Sequence, residues 1–151
     1  MIKIGLDIAT SMGVCFYNGT NFVCTTYTGT PIEQLETLQD VVGEDLKGAK
    51  IYIEQENTFR NANTTRSILH RVGYLKNSLE KIGAEIVMVN AMSARKHLGA
   101  KCKADVSGLF SKFGLNSDES DALAVLMFGE QLPLDVLAQN VIKMEGDLWV
   151  T

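Results

Sequence analysis

The chain has 151 residues, of which 46% are hydrophobic and 21% are charged, and its formal net charge is −4. These values are typical of one compact domain and exclude a largely disordered protein. The sequence has no apolar run of about 18 residues and no basic leader before an apolar stretch. We therefore expect a cytoplasmic protein with neither a membrane span nor a secretory signal.

Three antiparallel strands are predicted in "MIKIGLDIATSMGVCFYNGTNFVCTTY". Ile2–Ile8 shows the alternation of a half-buried strand, and a small polar turn follows at Thr10–Gly13. A second strand over Val14–Tyr17 leads to Asn18-Gly19, which is the strongest short signal for a hairpin. The third strand of this meander is predicted over Phe22–Tyr27.

Cysteine is sparse in this sequence, with only Cys15, Cys24 and Cys102. A two-residue turn at Asn18-Gly19 would not place Cys15 opposite Cys24. We therefore expect reduced thiols, without a disulfide or a zinc site.

Helical and strand patterns alternate through the rest of the chain. Thr30-Pro31-Ile32-Glu33 is a capping box with proline at the first helical position, and Gly48 is a plausible stop for that helix. The tail from Gln131 to Thr151 is mixed, and its segment "VIKMEGDLWV" is either an added strand or a partner surface. The other predicted elements are a strand in "AKIYIEQEN", a helix over about Asn63–Ile82, a strand in "AEIVMVN", helices over Ala91–His97 and Ala104–Phe113, and a helix from about Ser117.

This order of elements predicts an α/β fold. We expect a mixed five-stranded sheet, made of a three-strand antiparallel meander plus two parallel strands and flanked by helices. The first strand is central and parallel to the fourth, because right-handed helical crossovers join parallel strands.

Four carboxylates are predicted to converge at one edge of this sheet. Asp7 and Glu54 lie near the carboxyl ends of adjacent parallel strands, where open α/β sheets form their sites. Asp118 and Asp121 are three residues apart at the start of the last helix. Each acid alone has an ordinary explanation as a turn cap, a strand end or first-turn helix chemistry. Together they would repel one another unless a cation neutralised them, and oxygen ligands alone suit Mg²⁺ or Mn²⁺.

A basic middle third accompanies these acids. From Arg60 to Lys103 there are nine Lys or Arg residues against two Glu, whereas the remainder has five basic and sixteen acidic residues. Clustering alone slightly favours a solvated surface over a polyanionic partner. However, two metal ions about 4 Å apart hydrolyse phosphodiesters, and a basic helix face beside them could hold a sugar–phosphate backbone.

The segments "IGLDIATSMGVCFY", "IYIEQEN" and "DESDALAV" resemble the RuvC-type Holliday junction resolvases of the RNase H-like superfamily. The resemblance covers about residues 1–130 as the nuclease domain and leaves 131–151 as a C-terminal extension of the same domain. It implies a homodimeric endonuclease that resolves Holliday junctions and other branched DNA, nicking paired strands with two Mg²⁺ ions per site, which Mn²⁺ can replace. The small size and divergent tail fit a phage-encoded member acting in the host cytoplasm.

The family's motifs also assign roles to individual residues. Asp7, Glu54, Asp118 and Asp121 correspond to its four catalytic, metal-binding acids. Asn57 stands where the family has an aromatic residue at the junction centre, so junction opening and sequence preference need not follow the family. The predicted DNA-binding residues are Phe59, Arg60, Arg66, His70, Asn77, Lys81, Arg95, Lys96, Lys101 and Lys103.

Three other functions fit parts of the sequence. "GLDIATSMGV" also resembles the phosphate-binding segment of actin-like and sugar-kinase ATPases, but 151 residues cannot supply that two-domain fold, so we expect no nucleotide cofactor. A related nuclease acting on structured RNA would use the same chemistry as a DNA nuclease. A non-catalytic branched-DNA-binding module would keep the fold, although an idle four-carboxylate cluster would reduce stability.

Overall fold

A computed structural model describes residues 1–55, 62–137 and 141–143. The strands are β1 (Lys3–Asp7), β2 (Ser11–Tyr17), β3 (Phe22–Thr28), β4 (Lys50–Gln55), β5 (Glu85–Asn90) and β6 (Val141–Lys143). The helices are α1 (Pro31–Val42), α2 (Ala62–Ile82), α3 (Ala91–His97), α4 (Lys103–Phe110) and α5 (Ser117–Gly129). None of the helices in the described ranges combines the length and the apolar character that a membrane span requires.

The strands form one mixed sheet in the order β5-β4-β1-β2-β3-β6. β1 pairs antiparallel with β2 and parallel with β4, and this confirms the predicted meander and the central position of β1. The predicted count of five strands is one short, because β6 adds a parallel strand to the free edge of β3. Its Val-Ile-Lys sequence begins with two β-branched residues, which favour strand pairing.

The connection between β2 and β3 is not the predicted two-residue turn at Asn18-Gly19. It has four residues, Asn18–Asn21, because the Asn18 Oδ1 accepts the backbone N–H groups of Thr20 and Asn21 at 2.9 and 2.8 Å. This loop places Cys15 directly opposite Cys24, with their Sγ atoms 2.9 Å apart. The prediction that these two cysteines do not face each other is therefore wrong.

Two hydrophobic cores lie on the two faces of the sheet. One packs α1 and α2 against β1 and β2, through residues such as Leu38 and Leu75. The other packs α3, α4 and α5 against the opposite face, with Phe110 and Met127 fully buried. α1 ends at Gly43 rather than Gly48, and the predicted Ala104–Phe113 helix is α4 followed by a short 3₁₀ turn.

Two glycines allow α5 to lie directly on the sheet. A Cβ atom at Gly5 would lie 2.3 Å from the Ala122 carbonyl oxygen, and one at Gly13 would lie 2.0 Å from the Asp118 carbonyl oxygen. A side chain at either position would therefore push the helix away. Because α5 covers this face, β1 is buried on both sides rather than half-buried, and the first turns of α5 reach the strand ends.

Candidate metal centre

Three acidic side chains meet at the carboxyl edge of the sheet. Asp7 ends β1, Glu54 lies near the end of β4, and Asp121 belongs to the second turn of α5. One carboxylate oxygen from each lies within 4.8 Å of the other two, and all three residues are buried. The parallel register of β1 and β4 pairs Leu6 with Ile53, so the following acids lie at the same level.

Asp118 lies at the rim of this triad. It belongs to the first turn of α5, and its side chain is 29% exposed, whereas that of Asp121 is 2% exposed. The structure therefore brings all four predicted acids to one edge, with three buried and one facing the opening.

Lys103 is the cation at the centre of the acids. Its Nζ lies 3.1 Å from Asp121 Oδ2 and 3.8 Å from both Asp7 Oδ2 and Asp118 Oδ1. Burial lowers the pKa of the Lys103 ammonium, but attraction from the three carboxylates outweighs it and raises the pKa overall. Lys103 therefore carries a full positive charge in the cluster.

Arg95 supplies a second positive charge from α3. Its Nη2 lies 3.9 Å from Glu54 Oε1, and its side chain is largely buried. Of the four cations predicted in this part of the sequence, Lys103 and Arg95 face the acids.

Asp7 shows the electrostatic cost of assembling these acids. Burial raises its pKa to about 6, helped by repulsion from Asp121 and Asp118, although Glu54 as a hydrogen-bond partner and Lys103 oppose the shift. The Asp7 Oδ2 atom is buried and accepts no hydrogen bond from the described part of the chain. Among the described residues, Lys103 and Arg95 are the cations within 4 Å of these four acids.

The comparisons with known proteins bear on the fold that carries these acids. No protein-family model matches the chain, and no curated sequence is significantly similar to it. Solved structures do match. RuvC of Thermus thermophilus in complex with a Holliday junction substrate superposes with a TM-score of 0.63 at 15% identity, over 85% of this chain and 91% of that one. The chain has the RNase H-like fold of RuvC.

Two further structures support this RuvC-like fold. A second Thermus thermophilus RuvC structure gives a TM-score of 0.56 at 16% identity, over 85% of this chain and 92% of that one. The yeast mitochondrial Holliday junction resolvase Ydc2 gives a TM-score of 0.50 at 11% identity, over 83% of this chain and 76% of that one. The resemblance predicted from the sequence motifs is therefore confirmed in the architecture.

The donor set of the RuvC-like site fits a hard divalent cation. Asp7, Glu54 and Asp121 supply oxygen atoms only, and Mg²⁺ prefers oxygen ligands in proteins. The buried Asp7 Oδ2, which lacks a hydrogen bond from the described residues, is free to accept a metal. These residues could therefore hold a divalent metal ion.

A cleft of about 230 Å³ opens above the acids. Its lining includes Asp7, Glu54 and Lys103 on one side and the apolar side chains of Ile68 and Val72 from α2 on the other. The site is therefore open to a ligand along α2, and part of the cleft lining is apolar.

The predicted DNA-binding residues are distributed unevenly around this cleft. Arg66 and His70 are exposed on the N-terminal half of α2, and both line a groove next to the cleft. Asn77 and Lys81 are exposed on the C-terminal half of the helix, and Lys96 and Lys101 are exposed near α3 and α4. The DNA-binding role of these residues stays a prediction, and Phe59 and Arg60 lie outside the described residues.

Sequence analysis missed three residues that are packed around the site without belonging to the acid cluster. Gly13, predicted in a turn, lies in β2 under the first turn of α5. Glu119 is fully buried, and the only sequence signal for it is its place three residues after the helix cap Asn116. Gln34 is also fully buried, and its Nε2 donates to the carbonyl oxygens of Ala9 and Thr10 just after β1.

Proposed function

We propose that this chain is a RuvC-type, metal-dependent endonuclease that cuts four-way junctions and other branched DNA. The observation that carries the proposal is the buried triad of Asp7, Glu54 and Asp121 at the sheet edge of a RuvC-like fold. A Thermus thermophilus protein with this fold holds a Holliday junction substrate. The close approach of three buried carboxylates supports a divalent cation, for which Mg²⁺ is our proposal and Mn²⁺ its substitute.

The side chains divide the chemistry among them. Asp7, Glu54 and Asp121 would hold the metal, and Asp118 offers a further carboxylate at the mouth of the cleft. Two bound divalent ions supply an activated water and stabilisation of the leaving oxygen.

Lys103 has a separate role in this proposal. Its ammonium lies at the level of the acids and lines the cleft, so it can donate to a phosphate oxygen of the bound strand. Charge that develops on the phosphate in the transition state is stabilised by such a fixed cation.

The proposed substrate implies two copies of the chain. Resolving a junction needs nicks in two paired strands, and the described part of one chain holds one carboxylate triad. We therefore propose a homodimer in which each copy cuts one strand. The nuclease domain is proposed to span 1–130, with 131–151 as its extension.

Cleavage of a labelled four-way DNA junction tests the proposal. The junction, a linear duplex of the same sequence and a structured RNA are incubated with Mg²⁺, Mn²⁺ or EDTA and resolved on a denaturing gel. We expect symmetric, metal-dependent nicks near the branch point and little cutting of the duplex. Cutting of the RNA alone would replace DNA as the substrate, and tight binding without cutting in either metal would make the chain a non-catalytic module.

A further inference from the structure

We propose that a groove beside the acid cluster is a second nucleic-acid subsite, in which Arg71 binds a backbone phosphate of the strand held at the metal centre. This inference rests on the proposed nuclease function and deepens it. It names the path by which the strand leaves the acids and the side chain that holds it there.

The groove is continuous with the cleft above the acids. Asp118, Ala9 and Ile68 line both spaces, so the groove begins where the cleft ends. It has a volume of about 510 Å³ and runs along the N-terminal half of α2. A further space of about 450 Å³ shares the lining residue Arg71 with it and continues towards Arg66 and His70. One extended polymer can therefore reach from the acids to this basic end.

Arg71 lines the groove, and hydrogen bonds hold its side chain in place. Its Nη1 donates to the Gly29 carbonyl oxygen at 2.7 Å and to Gln34 Oε1 at 3.0 Å. Gln34 is fixed in turn, because its Nε2 donates to the carbonyl oxygens of Ala9, Thr10 and Tyr27. A guanidinium held in this way loses little side-chain entropy when it binds a ligand.

The charge of Arg71 is left available for an anion. Within residues 1–55, 62–137 and 141–143, both of its hydrogen bonds come from Nη1 and go to neutral oxygens, and no carboxylate forms an ion pair with it. The Nη2 and Nε groups remain as donors in the fork geometry that matches a phosphate.

The other polar groups in the groove also suit a phosphodiester. The hydroxyl groups of Ser11 and Ser67 and the amide of Asn63 line it together with Arg71. Among the described residues that line it, Asp118 is the only acid, and it lies at the end that meets the metal centre. This combination of a fixed cation and neutral donors is typical of contacts to the sugar–phosphate backbone.

The salt dependence of binding tests this assignment. Arg71→Gln and the matched control Lys76→Gln are introduced into the full chain carrying Asp7→Asn, which prevents cutting. Lys76 lies on the same helix but pairs with Glu80 at 3.2 Å, outside the groove. Affinity for a labelled four-way junction and for a single-stranded oligonucleotide is measured from low to high salt. We expect Arg71→Gln to weaken binding about tenfold and to lower the log–log salt slope by about one, and Lys76→Gln to change neither.

A scan with neutral methylphosphonates identifies the phosphate. A single substitution is moved along the strand away from the cleavage position. The Arg71-containing protein should lose affinity at one position, and Arg71→Gln should be insensitive there alone. A second variant, Arg71→Lys, keeps the charge and should keep the salt slope, which distinguishes loss of a phosphate contact from loss of folding.

The outcomes separate this inference from the proposed function. A protein that cuts junctions, but whose salt slope and methylphosphonate profile do not change with Arg71→Gln, overturns the subsite and leaves the nuclease intact. A protein that binds single strands with an Arg71-dependent slope but cuts no junction contradicts the nuclease and supports the subsite.

Discussion

Glu119 and Asp121 lie two residues apart on α5 but belong to two different buried acidic sites. The acids of these two sites have different partners. Glu119 accepts the Asn116 N–H at 3.0 Å and the Thr26 hydroxyl at 2.9 Å, and it forms an ion pair with Lys143 of β6. At the second site, Asp7 Oδ2 accepts no hydrogen bond from the described residues, and Lys103 Nζ lies 3.8 Å from it. The acid of the first site is therefore satisfied by described residues, whereas the acids of the second could hold a metal ion.

The two sites differ as a buried acid with a structural role differs from a buried acid that binds a metal ion. A buried carboxylate that satisfies its oxygens internally stabilises a fixed arrangement, as Glu119 does between α5 and β6. Carboxylates left short of positive charge are destabilising until a metal binds. Opposite responses to mutation and to metal are therefore expected at the two sites.

The largest expected effect is on cleavage in Asp7→Asn. Removing this carboxylate removes a metal ligand, and metal ions supply several kcal/mol of transition-state stabilisation, so cleavage should fall by at least about 10³-fold. Junction binding should persist, because a negative charge near the phosphates is lost. Single-turnover cleavage and binding assays measure both, with the exposed Asp45→Asn as the control. Full activity of Asp7→Asn would remove Asp7 from the site.

Lys143→Met should cause the largest loss of stability. It leaves Glu119 fully buried without its cation, so the free energy of unfolding should fall by about 3–4 kcal/mol. Urea unfolding followed by circular dichroism measures this loss. Adding Glu119→Gln should restore most of it, and Mg²⁺ should restore none. An unchanged unfolding midpoint in Lys143→Met would show that β6 does not neutralise Glu119.

Stability without metal should depend on pH through Asp7. Folding raises its pKa from the ordinary value of 3.8 to about 6, so the folded state binds the proton more tightly than the unfolded state. The contribution of Asp7 to the free energy of unfolding should therefore be most favourable below about pH 4 and fall by up to ~3 kcal/mol as the pH rises through 6. Urea titrations in EDTA across this window measure the fall. Asp7→Asn should flatten it, whereas Glu119→Gln should leave it in place; persistence of the slope in Asp7→Asn would assign it to another group.

The smallest expected effect is that of Lys103→Met on stability. Since the Lys103 side chain is 45% exposed and solvent screens its charge, the metal-free protein should lose only about 1 kcal/mol. In contrast to Lys143→Met, this loss should be recovered by Mn²⁺, which occupies the same acids. Thermal unfolding with and without Mn²⁺ measures the difference. A loss that Mn²⁺ does not recover would make Lys103 a structural partner like Lys143.

The fold and the acid cluster were predictable because their signals are local. Alternating apolar residues define β1, a capping box defines the start of α1, and acids at the ends of parallel strands must meet at one edge. By this route the sequence predicted that Asp7 and Glu54 meet at one edge of the sheet, and the structure places them there beside Asp121.

The remaining features depend on contacts between distant residues. Glu119 and Lys143 are 24 positions apart, and nothing near either residue in the sequence indicates that they pair. The register of β2 and β3 was mispredicted because the turn is not confined to Asn18-Gly19, and Asn18 Oδ1 accepts the backbone N–H groups of Thr20 and Asn21. Gly13 was predicted in a turn but lies in β2 under α5. Glycine is required there because a side chain would collide with the carbonyl of Asp118, which is distant in the sequence. Of the many lysines in the basic region, only the packing of α4 against α5 selects Lys103.

The facing cysteines of β2 and β3 provide a natural reporter for this part of the sheet. Cys15 and Cys24 are buried, and burial together with its neighbour Cys24 raises the pKa of the Cys15 thiol, whereas Cys102 is exposed. An alkylating reagent should therefore modify Cys102 at once and reach the buried pair only when the hairpin opens. β2 lies beneath the first turn of α5, which carries Asp118. The slow rate of modification at Cys15 and Cys24 therefore measures how often the β2–β3 hairpin opens next to the acid cluster, without any introduced label.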